Sequence, residues 1–158
     1  REKGFNPLFH NLYFVGSEEL ARILGPQGNG VIVTQVVPPP ESLESQALLS
    51  GVQEFTRLYR RNFPHAEPNL VALEGYINAR VLVEGLKRAG RNLNREKFID
   101  AIESIQNYSL GIANTLSFSH DNHQGLSRVY FTIINDQKLD ILTDWQKVKD
   151  MYLQGIEP

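Results

Sequence analysis

The feature that most constrains this chain is Pro38-Pro39-Pro40. Each proline fixes φ and removes an amide donor, so neither a helix nor an interior strand passes through the triplet. It forms a stiff, extended connector, and the residues on either side read as separate packing units. Upstream, Val31 to Val37 is Val-Ile-Val-Thr-Gln-Val-Val, polar only at Thr34 and Gln35. A β-branched run of this kind predicts a strand in a parallel sheet covered on both faces. Leu12-Tyr13-Phe14-Val15 stops at Gly16 and predicts an earlier strand. Between the two, Ser17 offers an N-cap, Glu18 and Glu19 place negative charge in the first turn, and Gly25-Pro26 ends the helix. Residues 12–37 therefore read strand, helix, strand.

Downstream the period changes to helical. Leu48, Val52, Phe55 and Tyr59 predict one helix over about 44–62. Leu70, Leu73, Ile77, Val81 and Leu82 predict a second over 69–89, with an apolar arc wide enough to be buried on more than one side and Ala89-Gly90 closing it. Asn94 caps a third, 95–105, with Phe98, Ile102 and Ile105 inward. The period then becomes two. Thr115–Ser119, Leu126–Ile134 and Lys138–Leu142 predict a three-stranded meander, followed by a short helix, Trp145 to Leu153, capped by Asp144. Three consecutive helices with no strands between them pack either on each other or on a sheet that this chain lacks.

Composition excludes several classes. Sixteen Lys+Arg against eighteen Asp+Glu give a net charge of −2, which argues against a nucleic-acid partner. With no Cys there is neither a disulfide scaffold nor a thiolate metal site. No apolar run approaches the roughly 20 residues that span a bilayer. There is no Gly-x-Ser-x-Gly elbow, phosphate loop or His-Glu-x-x-His, so no catalytic residue is assigned, the expectation is a non-enzyme, and no cofactor is expected. His120-Asp121-Asn122-His123 reads as a turn rather than a metal site, because no third strong ligand lies nearby in sequence. Asn107-Tyr108-Ser109 matches the short glycosylation acceptor pattern, a weak signal. The chain starts with Arg1 and its single Met is Met151, so a processed protein or a piece of a longer one is expected, with any signal peptide or first domain upstream.

Three segments together carry a resemblance. Phe14-Val15-Gly16-Ser17 with Leu20, Leu24-Gly25 and the run Gly30 to Pro38 resembles the type I periplasmic solute-binding proteins, the leucine/isoleucine/valine-binding family of amino-acid ABC transporters. Leu73-Glu74-Gly75-Tyr76-Ile77-Asn78-Ala79 with Leu86-Lys87-Arg88-Ala89-Gly90 is similar to a helix of that family, and Phe118 to Gly125 with Val129-Tyr130-Phe131 to its closing β-segment. The resemblance covers about 12–142. It implies an α/β fold, the C-terminal part of a two-lobe type I periplasmic-binding fold with a βαβ unit, a helical segment and a terminal β-meander. Residues 1–37 and 113–158 would belong to the second lobe and 38–112 to the first, with the proline triplet as a crossing.

The same resemblance implies periplasmic binding of a small polar ligand, an amino acid or a similar molecule, for delivery to an ABC permease. The rival reading is the ligand-sensing ectodomain of a bacterial signalling receptor built on the same fold. Ser17 and Glu18 follow the first strand at its carboxyl end, where open α/β sheets bind ligands, and in the amino-acid binders an acidic residue at about the place of Glu18 holds the ligand ammonium. Capping alone also explains both residues. Tyr76 is the third candidate ligand-binding residue, set against a plain core role. As a fragment the chain is expected to bind free amino acids weakly or not at all. It is also expected to cover its apolar helix faces as a homodimer, with Phe55, Tyr59, Ile77 or Val81 at the interface.

Overall fold

The computed structural model describes residues 7–153. In chain order the elements are β1 (His10–Asn11), α1 (Ser17–Leu24), β2 (Ile32–Gln35), α2 (Leu43–Leu48), α3 (Ser50–Asn62), α4 (Leu70–Ala89), α5 (Arg95–Glu103), β3 (Tyr108–Ser109), β4 (Thr115–Leu116), β5 (Tyr130–Asn135), β6 (Lys138–Ile141) and α6 (Trp145–Leu153). The described residues up to Ser45 and from Val129 onward make a sheet unit, and Gln46–Arg128 make a helical unit.

In the sheet unit the strand order is β1-β2-β5-β6. β1 runs parallel to β2, with Asn11 opposite Val33. β5 runs antiparallel to β2, with Ile32 opposite Ile133 and Gln35 opposite Tyr130. β5 and β6 form a hairpin turned at Asp136 and Gln137, both with positive φ. The sheet is thus mixed, not the parallel one that the apolar run suggested: burial on both faces yields the same sequence pattern whichever way the neighbour runs.

Side chains alternate, so Ile32, Thr34, Phe131 and Ile133 share one face and Val33, Gln35, Thr132 and Ile134 the other. On the first face, buried Ile32, Leu142 and Val148 cluster with Phe131, Ile133 and Tyr152, which brings α6 onto the sheet. The Tyr152 hydroxyl donates to the Gly30 carbonyl at 2.9 Å. The second face carries α1. Leu24 and Ile134 close over Gly28 so tightly that a Cβ there would lie 2.9 Å from Leu24 Cβ and 3.5 Å from Ile134 Cγ2.

The expected strand at 12–15 is not one. Tyr13–Val15 is a 3-10 turn and the strand lies just upstream, at His10–Asn11. Gly16, with φ 72°, reverses the chain into α1, and the apolar run that precedes it is exposed, Phe14 at 71%. Hydrophobicity marked the run, but its backbone is spent on the turn.

The helical unit packs α3, α4 and α5 around buried Val52, Phe55, Leu73, Ile77, Ala101 and Ile105, each large side chain contributing about 1.5–3 kcal/mol when fully buried. Asn69 and Asn94 cap α4 and α5, their side-chain oxygens accepting from the Ala72 and Lys97 amides at 2.9 Å. Gly85 lets α5 approach α4, since a Cβ there would meet Ile102 Cδ1 at 2.3 Å.

The single helix expected over 44–62 is two, broken at Leu49, which is extended (φ −112°, ψ 100°). The break has a distant cause. The Gly51 amide donates to the Gly111 carbonyl at 2.8 Å, and a Cβ on Gly51 would sit 2.0 Å from the Leu110 oxygen. The backbone of 110–111 lies against the start of α3 and sets its direction. Leu48, read as core, is 77% exposed.

The meander is also revised. β4 covers only Thr115–Leu116 and pairs with β3 in a separate two-stranded sheet, and the first long strand starts at Tyr130, so a hairpin rather than a three-stranded meander closes the sheet unit. Phe118 turns onto Gly125, and Ser119 and Asn122 exchange backbone hydrogen bonds in a tight turn, which ends the strand early. Phe55 and Ile77 are buried within one chain, which removes them from the expected dimer interface. Nor is α4 covered on every side: Val71, Leu82, Val83 and Leu86 are exposed.

Candidate functional site

The carboxyl end of the parallel pair is built from the turn after β1 and the start of α1. Gly16, not Ser17, is the N-cap, and no side chain caps the helix. The first amides of α1 therefore lack side-chain acceptors, which leaves partial positive charge at this point. Ser17 is the first helical residue and is buried, and its Oγ makes no hydrogen bond. Glu18 is exposed beside it. Glu19 faces away into an ion pair, Arg22 Nε donating to its Oε2 at 2.7 Å. That hydrogen bond holds the Glu19 carboxyl below its ordinary range. Glu19 is thus engaged within its own helix.

Tyr76 lies in the helical unit. Its ring sits 5.5 Å from that of Phe55, with the Arg80 guanidinium 5.9 Å from its centroid. Arg80 reaches Glu54 of α3 at 3.0 Å. These side chains, with Val83, Lys87 and Tyr108, line an open cavity of about 400 Å³. Burial, helped by the Glu54 charge, pushes the Tyr76 phenol above its ordinary pKa. Tyr76 is therefore half-buried at a cavity rim, packed on Phe55 yet accessible.

A second cavity of about 450 Å³, in the sheet unit, carries Glu44, Asp140 and Asp144 above Ile133, Leu142 and Val148. Its carboxylates are engaged locally: Glu44 accepts from the Ser42 hydroxyl, Asp140 from the Asn135 amide, and Asp144 from the Gln146 backbone. Among the described residues no group of three or more His, Asp or Glu side chains is placed to hold a metal. His123, in the turn noted above, pairs with Glu103 of α5 at 2.8 Å.

Ser17 and Glu18 are thus brought together at one helix start, and Tyr76 belongs to the other unit. Sequence reasoning passed over Gln35. It is the last residue of β2, it is buried, and its Nε2 finds no acceptor. The signal was present: one of only two polar residues inside an otherwise apolar strand. It also passed over Arg80 and Tyr108, which complete the Tyr76 cavity.

The chain as a whole is similar to known proteins. A family model described as periplasmic binding protein matches residues 1–138. Among solved structures, a possible leucine/isoleucine/valine-binding protein from Rhodopirellula baltica SH 1 superposes with a TM-score of 0.80 at 31% identity, over 94% of this chain and 38% of that one. A leucine-binding protein from Thermotoga maritima MSB8 matches with a TM-score of 0.67 at 22% identity, over 90% and 38%. A fatty acid ABC transporter substrate-binding protein from Thermomonospora curvata matches with a TM-score of 0.70 at 19% identity, over 90% and 37%. This chain thus spans 38% of the length of the first of these. No curated protein matches.

Proposed function

The chain belongs to the periplasmic binding protein family, and on that premise we propose that it forms part of an extracytoplasmic receptor that binds a small polar ligand, an amino acid or a similar molecule, and delivers it to the permease of an ABC transporter. The observation that carries the reading is the start of α1: an uncapped helix N-terminus at the carboxyl end of a parallel strand pair, with a buried, unpartnered hydroxyl and an exposed carboxylate side by side. Glu18 accepts from the ligand ammonium. The Ser17 hydroxyl and the first α1 amides take an oxygen. Tyr76, at the rim of its own cavity in the helical unit, is a further candidate contact for the ligand. Binding, not catalysis, is the chemistry these groups support, and the similar structures bear names of binding proteins.

In this reading residues 1–37 and 113–158 belong to the second lobe of such a receptor and 38–112 to the first. Among the described residues no helix is long and apolar enough to cross a membrane. Because a chain that spans part of such a receptor binds weakly, the test is nuclear magnetic resonance of the isotope-labelled chain titrated with single amino acids up to millimolar concentration. Saturable shifts of the Ser17 and Glu18 amides, abolished in Glu18→Gln, are expected. If the shifts survive Glu18→Gln, or no amino acid moves these amides, the reading fails.

A further inference from the structure

The sheet unit buries three side-chain polar atoms that find no hydrogen-bond partner: Ser17 Oγ, Gln35 Nε2 and Ser45 Oγ. The hydroxyls are the weaker signal, because a serine rotates freely and often shares a carbonyl of its own helix turn. Gln35 differs. Its Nε2 carries two N–H donors, and an unmade donor inside a protein is among the more expensive features a fold can keep. Methionine or leucine would fill the same strand position without that penalty.

Its placement suggests what the donor serves. Gln35 stands two residues beyond Asn11–Val33, the last parallel pair, at the carboxyl end of β2. Alternation puts it on the face shared by Val33, Thr132 and Ile134, the face that carries α1. The chain leaves β1 at that same end and enters α1 at Ser17. The unpartnered amide, the unpartnered Ser17 hydroxyl and the uncapped first turn of α1 therefore share one end and one face of the sheet.

We propose that Gln35 is a specificity-determining residue, whose Nε2 donates to a neutral carbonyl oxygen on the ligand, so that the site takes an amino acid with a carboxamide side chain in preference to an aliphatic one. This rests on the reading of the α1 start as the ligand site. An aliphatic side chain gains nothing from this donor, which stays unpaired as it is without ligand, whereas a carboxamide oxygen supplies the missing acceptor. The Glu18 carboxylate beside Ser17 disfavours a second negative charge on the ligand, which selects a carboxamide over a carboxylate.

The experiment is resonance titration of the whole 158-residue chain with glutamine and, separately, with leucine, following the Gln35 side-chain amide and the Ser17 and Glu18 backbone amides. The Gln35 resonances should shift saturably with glutamine in step with Ser17 and Glu18, and leucine should bind about tenfold more weakly or worse. Gln35→Met should erase the preference and, without ligand, unfold at a higher urea concentration than the parent. If Ser17 and Glu18 respond to either amino acid while Gln35 stays still, this inference falls and the site reading stands. If neither amino acid moves any of the three, both fall. A long-lived water contact on the Gln35 amide that persists through the titration, or a lower urea midpoint for Gln35→Met, shows that a buried water already satisfies the donor and overturns the proposal. Should the variant not fold, the titration of the parent decides alone.

Discussion

A methyl group on Gly51 would sit 2.0 Å from the Leu110 carbonyl oxygen, a backbone atom that has nowhere to go. Gly51→Ala should therefore destabilise the chain by about 3 kcal/mol or more in urea titration. Gly85→Ala meets the flexible tip of Ile102 instead, at 2.3 Å, and should cost about 1–2 kcal/mol. Gly75, on the same helix as Gly85, has open space around it, and Gly75→Ala should stabilise by about 0.5–1 kcal/mol. A loss of similar size at all three positions would show that the close approach at Gly51 is not real. Tyr76 gives a pH signature. Burial raises its phenol pKa in the folded state, so the unfolded chain releases that proton at lower pH than the folded one. The stability tied to the neutral phenol is fully present below the ordinary tyrosine pKa of about 10 and is lost as pH rises through the folded value. Tyr76→Phe should flatten the alkaline limb of the stability–pH curve, and an unchanged limb would refute the assignment.

At the scale of elements, caps and packed faces should separate cleanly. Asn69→Ala and Asn94→Ala each remove a side-chain acceptor from a helix start and should cost about 1 kcal/mol. Leu73→Ala empties a fully buried site and should cost about 2–5 kcal/mol, whereas Val71→Ala, on the exposed side of the same helix, should stay within about 0.5 kcal/mol of the parent. Equal costs for the two would mean that the α4 face is covered. The elements that sequence reading located well are those whose ends are local. The start of α4 at Leu70, the start of α5 at Arg95 and the start of α6 at Trp145 follow from Asn69, Asn94 and Asp144 one residue earlier. The misreadings have distant causes: the break at Leu49 follows from Gly111, and the pairing of β4 with β3 from the turn of Phe118 onto Gly125. In the candidate site, Ser17 and Glu18 were singled out because they follow the apolar run 12–15, whose expected strand lies instead at His10–Asn11. Gln35 was not, because a polar residue in an apolar strand becomes informative only once its partners are known.

For the molecule as a whole, the exposed pair Leu82 and Leu86, in the last turns of α4 and away from Val71, leads us to expect two copies to associate there. Light scattering should give the mass of a dimer, and Leu82→Lys with Leu86→Lys should reduce it to a monomer with unchanged helical circular dichroism. A monomeric mass for the parent chain refutes the association.

The strand order described above also has a temporal side. β2 takes β5 as its antiparallel neighbour, yet the entire helical unit is encoded between them. On the ribosome the Val31-to-Val37 segment emerges before its neighbour and waits while α3, α4 and α5 are still being made. Its helical successors close mostly short loops and can settle quickly, whereas this strand pairing closes a long one and is slow. For that interval an apolar, β-branched edge stands open to identical edges on neighbouring nascent chains. Crowded synthesis is thus the step at which this fold is most exposed to misassembly. Slowing translation before Tyr130 should lengthen the exposure and lower the soluble yield, while leaving the finished protein unchanged.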